Sequence, residues 1–203
     1  MIRLNTVLLT GIAIVVASWL GFAVVMLRRP KAPGATPTEK KRDSRSMLGI
    51  GLQGLAYAIV WTPPRFGFAR AAGAMNSEWT PLVIAWLLII ATLMISGVAI
   101  ARSAIYTLGA QWTLVAQAAK GHSLITAGPY ARVRHPIYSA MLLLLIGTGL
   151  AMSGPTPFAI ALVFFAAGTA QRVRLEENLL ETSHGAEFRA YRHRVPAVLP
   201  HLR

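Results

Sequence analysis

The sequence predicts an all-α integral membrane protein of about five transmembrane helices, and three observations carry that reading. Hydrophobic residues make up 55% of the 203 and charged residues only 13%, with a mean hydropathy of +0.53. Soluble domains carry about 25% charged residues. Five apolar stretches, at 4–27, 47–62, 81–101, 137–153 and 156–172, stand between polar or proline-containing connectors. Of the 20 basic residues, all but Arg3, Arg65 and Arg70 then fall on one side of the topology, as the positive-inside rule requires.

The first and third stretches reach the roughly 20 residues that cross a bilayer, and the second is short. Arg3 ahead of an apolar run invites a signal-peptide reading. The run exceeds an ordinary h-region, however, and Arg28-Arg29-Pro30 stands where a small-residue cleavage site should lie, so it reads as a retained helix. Residues 30–46, rich in Pro, Lys, Thr and Ser, read as a mobile linker. The outer loop 62–80, with Pro63-Pro64, is too short for a domain. Only Gly154-Pro155 separates the last two stretches, which predicts a tight helical hairpin. The basic loop 28–46, the segment 102–136 and the tail 173–203 share the cytoplasmic face, so the N-terminus lies outside and the C-terminus in the cytoplasm. The chain thus divides into a transmembrane scaffold, 1–101, and a catalytic region, 102–203.

The formal charge of +13 is explained by this layout without nucleic acid, because juxtamembrane cations sit beside anionic headgroups. The absence of cysteine excludes disulfides, thiolate catalysis and Cys-based metal sites.

Two segments concentrate the chemistry. The first is Gly128-Pro129-Tyr130-Ala131-Arg132-Val133-Arg134-His135-Pro136-Ile137-Tyr138. Pro136 holds His135 extended and opens the next helix at its first turn. That helix N-terminus, with free N–H groups beside Arg134 and His135, predicts a carboxylate or phosphate site. Arg132, Arg134 and His135, with Tyr130 and Tyr138 in the aromatic belt, also fit an interfacial anchor. The second segment, Arg172-Val173-Arg174-Leu175-Glu176-Glu177, places four charges beside a membrane-embedded stretch, which is costly unless they are paired or functional. On a helix Arg172 reaches Glu176 and Arg174 reaches Glu177. Together the segments offer Arg and His to a carboxylate and Glu to an ammonium or ribose, the complement of an amino-acid-bearing nucleotide such as S-adenosylmethionine.

Leu108-Gly109, Trp112-Thr113, His122-Ser123-Leu124, Gly128-Pro129-Tyr130, Val133 to Tyr138, Arg174-Leu175-Glu176-Glu177, Leu180, Gly185, Tyr191, Arg194-Val195-Pro196 and Pro200 together resemble the isoprenylcysteine carboxyl methyltransferase family over about residues 102–203. The resemblance implies a small multi-span methyltransferase using S-adenosylmethionine, with a cytoplasmic cofactor pocket built from the C-terminal half. It implies that Tyr130, Arg134, His135, Pro136 and Tyr138 line that pocket, that Glu176 and Glu177 hold its polar end, and that Arg174, Glu177 and Tyr191 serve catalysis. The acceptor would be lipophilic: the family name suggests the carboxylate of a prenylated cysteine, and a free lipid, a phospholipid amine or a small hydrophobic acid fits equally. His184, Phe188 and Ala197 depart from the family pattern. No strand–GxGxxG–helix unit is present, which suits a class distinct from the Rossmann-type methyltransferases.

Two other classes compete: an NADPH-dependent membrane reductase of the sterol-reductase type, for which Arg132 and Lys120 form a thin 2′-phosphate cluster, and a non-catalytic lipid-binding protein. Glu181-x-x-His184 is half of a carboxylate-bridged metal motif without its second copy, so no metal is expected. Asn5, Gln53 and Tyr57 are nearly the only polar side chains of the first two spans, which read as scaffold or acceptor-tunnel wall.

Overall fold

A computed structural model describes residues 5–28, 44–61, 66–76, 78–109 and 123–200. Most of the linker 30–46, Pro63-Pro64, Trp112-Thr113, Lys120, His122 and His201 lie outside the described residues. Among the described residues six α-helices follow in order: α1 (Thr6–Leu27), α2 (Ser44–Trp61), the short α3 (Gly67–Ala71), α4 (Pro81–Leu108), α5 (Pro136–Met152) and α6 (Pro155–Arg194). Among the described residues there is no strand. α1, α4 and α6 are long and apolar enough to cross a membrane, while α2 and α5 are shorter apolar helices.

Sequence chemistry sets the helix ends. Asn5 caps α1, accepting from Leu8 N–H at 2.9 Å while donating to Ala74 O at 2.8 Å. Thr80 caps α4, whose first turn opens on Pro81. Prolines likewise open α5 and α6, where a missing N–H costs nothing. The interiors follow the bilayer rule that backbone polar groups be satisfied within the segment.

Two packed groups form the bundle. α4 runs along α5 and α1, and α6 runs along α2. The first group buries Val15, Trp86, Ile90, Met94 and Leu144. The second buries Ala56, Val60, Leu145, Ala161 and Phe165.

The expected tight hairpin of the fourth and fifth spans is instead wedged open. α5 and α6 touch near their turn, where Phe158 lies against Gly149. Beyond it α2 enters between them, with Tyr57 donating to Met141 O at 2.8 Å and meeting Phe165 edge-to-face at 6.2 Å. Gly49 and Gly168 permit the α2–α6 approach. A Cβ on Gly168 would stand 2.7 Å from Gly49 O, closer than backbone allows. The few polar side chains of the scaffold find partners across helices: Gln53 donates to Thr169 Oγ1 at 2.9 Å, and Trp19 Nε1 to Thr148 Oγ1 at 3.1 Å. Such pairs fix helix register where lipid supplies no hydrophobic drive.

α6 outlasts its apolar stretch and carries the charged sequence beyond it as helix rather than loose tail. At Gly185 (φ 51°, ψ −119°) the helical path breaks, a conformation suited to glycine. The segment 186–194 turns back, anchored by the fully buried Phe188 and by Tyr191.

Candidate active site

The entrance of α5, the charged middle of α6 and the segment 194–198 converge. Arg134 Nε and Nη2 both meet Glu177 Oε1, at 2.9 and 2.7 Å. Arg134 Nη1 donates to Arg192 O at 3.1 Å and to Val195 O, so one guanidinium also caps the negative end of α6. His135 sits between two carboxylates: Nδ1 is 3.3 Å from Glu176 Oε2, and Nε2 is 3.2 Å from Glu177 Oε1. Tyr138 stacks on His135 with ring centroids 5.7 Å apart and donates to Glu176. Arg172 completes the shell, 3.5 Å from Glu176 and over the Tyr138 ring at 5.2 Å.

The segment after α6 is stitched to this cluster by its main chain. Arg134 N–H donates to Pro196 O and His135 N–H to Ala197 O, both at 2.8 Å, and Ser139 Oγ donates to Val198 O. Tyr191 donates to Tyr130 O at 2.6 Å, buried. These bonds correct the expectation of free N–H groups at the α5 entrance. The tail takes two of them, and Tyr138 N–H turns back on His135 O at 3.0 Å. Likewise Arg134 and His135, expected to receive a ligand carboxylate, already face protein carboxylates.

Electrostatics follow the geometry. Burial works against a charged His135, but its hydrogen bonds to Glu176 and Glu177 outweigh that and hold its pKa above the ordinary imidazole value. Both ring nitrogens face carboxylate oxygens, so both carry protons. Burial would raise both glutamates; the bonds from His135, with Tyr138 for Glu176 and Arg134 for Glu177, hold them below the usual carboxylate range instead. Burial pushes the Tyr191 hydroxyl up to about 12 and the Tyr130 hydroxyl up as well.

The structure thus gathers Tyr130, Arg134, His135, Pro136, Tyr138, Glu176, Glu177 and Tyr191 at one place. It does not bring Arg174 there. That side chain is exposed on α6, and among the described residues Glu177 pairs with Arg134, His135 and Arg192. Sequence reasoning pairs Arg172 with Glu176 but gives it no place in the site, and leaves out Arg192. The i, i+4 spacing from Arg172 to Glu176 was visible, but its seat on Tyr138 is tertiary. Arg192 reaches Glu177 at 3.5 Å and Glu181 at 3.7 Å only because the path breaks at Gly185. The metal half-motif is accounted for otherwise, since Glu181 pairs with Arg189 and Arg192.

Residues 87–182 match the isoprenylcysteine carboxyl methyltransferase family. Similar curated proteins include protein-S-isoprenylcysteine O-methyltransferase B of Arabidopsis thaliana, 33% identical over 54% of this chain and 56% of that protein. The cobalt-zinc-cadmium resistance protein CzcN of Cupriavidus metallidurans is 32% identical over 75% of this chain and 64% of its own length. The human protein-S-isoprenylcysteine O-methyltransferase is 32% identical over 63% and 46%. The chain therefore spans about half to two thirds of the length of these relatives. A solved structure of the eukaryotic intramembrane Ras methyltransferase shares the fold, with a TM-score of 0.54 at 21% identity over 91% of this chain and 61% of that one.

Proposed function

From the match of residues 87–182 to the isoprenylcysteine carboxyl methyltransferase family and from its curated relatives, we propose that the chain is a member of that family, a membrane-embedded methyltransferase that uses S-adenosylmethionine to methylate the carboxylate of a lipophilic acceptor such as a prenylated cysteine. The observation that carries this reading is the state of the charged cluster. Both ring nitrogens of His135 face carboxylate oxygens, at 3.3 and 3.2 Å, an arrangement that favours the doubly protonated ring, and Glu176 and Glu177 are held below the usual carboxylate range. A doubly protonated imidazole has no lone pair for a proton, and acidic carboxylates are weak bases. Such a cluster suits an acceptor that arrives already ionised, as a carboxylate does at neutral pH, and disfavours an amine that must first lose a proton.

The donor set fits the cofactor in part. Glu176 keeps 24% of its side chain exposed, against 7% for Glu177, and so is the carboxylate able to receive an ammonium or a ribose hydroxyl. The rings of His135, Tyr138 and Tyr130 supply flat walls beside it. Arg134 is committed to Glu177, so it acts as a positioning residue and leaves the cofactor's own carboxylate to other groups. When bound, the cofactor supplies a methyl group already activated on a sulfonium. His135, held between the glutamates, fixes their separation; Tyr138 and Arg172 orient Glu176; Arg134 locks Glu177 and closes the end of α6. Burial of the cluster keeps water out, and the protein's part is positioning. The acceptor's apolar tail would enter sideways from the bilayer, between helices. The positive-inside bias of the basic segments supports a cluster on the cytoplasmic face, with the N-terminus opposite.

Calorimetric titration of the detergent-purified chain with S-adenosylhomocysteine tests the proposal. Micromolar binding, lost in His135→Ala protein that retains its thermal unfolding transition, together with methylation of an S-farnesylated cysteine derivative, is the expected result. Binding of NADPH in place of S-adenosylhomocysteine would overturn it in favour of a reductase.

A further inference from the structure

A second concave site lies on the other side of Arg134 from His135. It encloses about 330 Å³ and is lined by Arg134, Glu181, Arg189, Arg192 and His193. That volume sits at the lower end of the range for small-molecule sites, about 300–1,000 Å³. The fold-back at Gly185 builds it, bringing 189–193 over Glu181 and the α5 entrance. Three guanidinium groups and an imidazole line it, beside a single lining carboxylate, Glu181.

Charges at this site do not balance. Arg134 is held by Glu177 behind the wall, and Arg192 reaches that same carboxylate at 3.5 Å, while Arg189 and Arg192 share Glu181. Their contacts to it, 3.5 and 3.7 Å, are longer than the roughly 2.7–2.9 Å of a charge-assisted hydrogen bond. Both side chains are more than half exposed, at 56% and 52%. Paired so loosely, they are available to a better partner.

We infer that this pocket is a phosphate-class anion site, separate from the cluster at Glu176. A carboxylate presents one edge to one guanidinium fork, whereas a phosphoryl group presents three acceptor oxygens in three directions and can engage Arg189, Arg192 and His193 at once, displacing Glu181. Arg134 stands two residues before Pro136, the first residue of the apolar helix α5, so one wall of the pocket lies where a bilayer's headgroups begin. The phosphoryl group therefore comes from a lipid headgroup or from free phosphate; the recognition chemistry is the same.

The test uses the full chain in phosphatidylcholine nanodiscs, titrated with inorganic phosphate by calorimetry. Wild-type protein binds. Arg189→Ala, an exposed substitution outside the cluster, weakens binding about tenfold, as expected for one charge-assisted contact. Glu181→Gln, which removes the competing carboxylate, tightens it. Undiminished binding in Arg189→Ala, or no binding to millimolar phosphate with no retention of phosphatidic acid either, overturns the site. Nanodiscs containing phosphatidic acid distinguish the sources: loss of phosphate binding in them assigns the pocket to a headgroup, and unchanged binding assigns it to the free anion. Saturating S-adenosylhomocysteine leaves the phosphate affinity unchanged; displacement would place the cofactor in this pocket and overturn its independence. Because Arg189→Ala retains S-adenosylhomocysteine binding, failure here is distinguishable from failure of the methyltransferase reading.

Discussion

Arg134 grips a single oxygen of Glu177 with two of its nitrogens, at 2.9 and 2.7 Å, across a boundary where both side chains are at least nine-tenths buried. Its remaining arm closes the carbonyl end of α6. Arg134→Ala therefore leaves a buried carboxylate and a bare helix end together. Breaking a buried ion pair costs on the order of 3–5 kcal/mol, so the variant should unfold at a clearly lower temperature in detergent. Arg134→Lys keeps the charge without the fork and should recover part of the loss. Wild-type thermal stability in Arg134→Ala would contradict this role.

His135 sets the pH response. Its folded pKa lies above the unfolded value of about 6.5, so its contribution to stability is complete below about pH 6.5 and is lost as pH rises through the folded value. Glu176 and Glu177 are shifted the other way; they contribute above about pH 4.3 and lose that contribution as pH falls through their folded values. Unfolding temperature measured against pH should show a plateau between these limits with a decline on the alkaline side. His135→Asn should flatten that alkaline decline; a decline of unchanged size in the variant would rule out the imidazolium.

Gly168→Ala should loosen the α2–α6 pair. Its new Cβ would meet Gly49 backbone oxygen at 2.7 Å, whereas a Cβ on Gly49 would chiefly press on the Arg172 stem, which can shift. Gly51 and Gly54 on the same helix face open space, so alanine there should be neutral or slightly stabilising through helix propensity. Thermal unfolding of the four variants gives the order, with Gly168→Ala lowest.

Tyr191→Phe removes one hydroxyl from a buried 2.6 Å hydrogen bond and strands Tyr130 O. A buried acceptor left without its donor costs about 1–3 kcal/mol. If Tyr191 acts only through that bond, the variant loses stability and keeps S-adenosylhomocysteine affinity; a selective loss of turnover at full stability would instead place its hydroxyl against substrate.

The helices were legible because their signals are local: apolar runs of bilayer length, prolines at first turns, Asn5 and Thr80 at caps. Glu176, Glu177 and the Arg-His-Pro block were legible because charge next to an apolar run demands a reason. What stayed hidden is tertiary. Nothing in the spacing of Tyr57 announces that α2 splits the last two spans. Arg172 read as one half of an i, i+4 pair, with no mark of its seat on Tyr138. Arg174 is written in the same pattern, and the pitch of α6 turns it outward. Arg194-Val195-Pro196 is legible as a motif, yet the carbonyls of Val195 and Pro196 are what meet Arg134, and backbone oxygens leave no trace in side-chain identity.

That last stitch also orders events in time. Arg134 reaches Val195 across 61 positions, with both α5 and α6 lying between. A ribosome making this chain would place α5 in the bilayer well before the residues that cap its entrance exist. Glu177 and its partners would wait, half-neutralised, through the synthesis of the rest of α6. Because Val195 is made only after the whole of α6, the cluster becomes whole only once that segment has been added, and a chain stalled before residue 195 would carry its helices without a finished site.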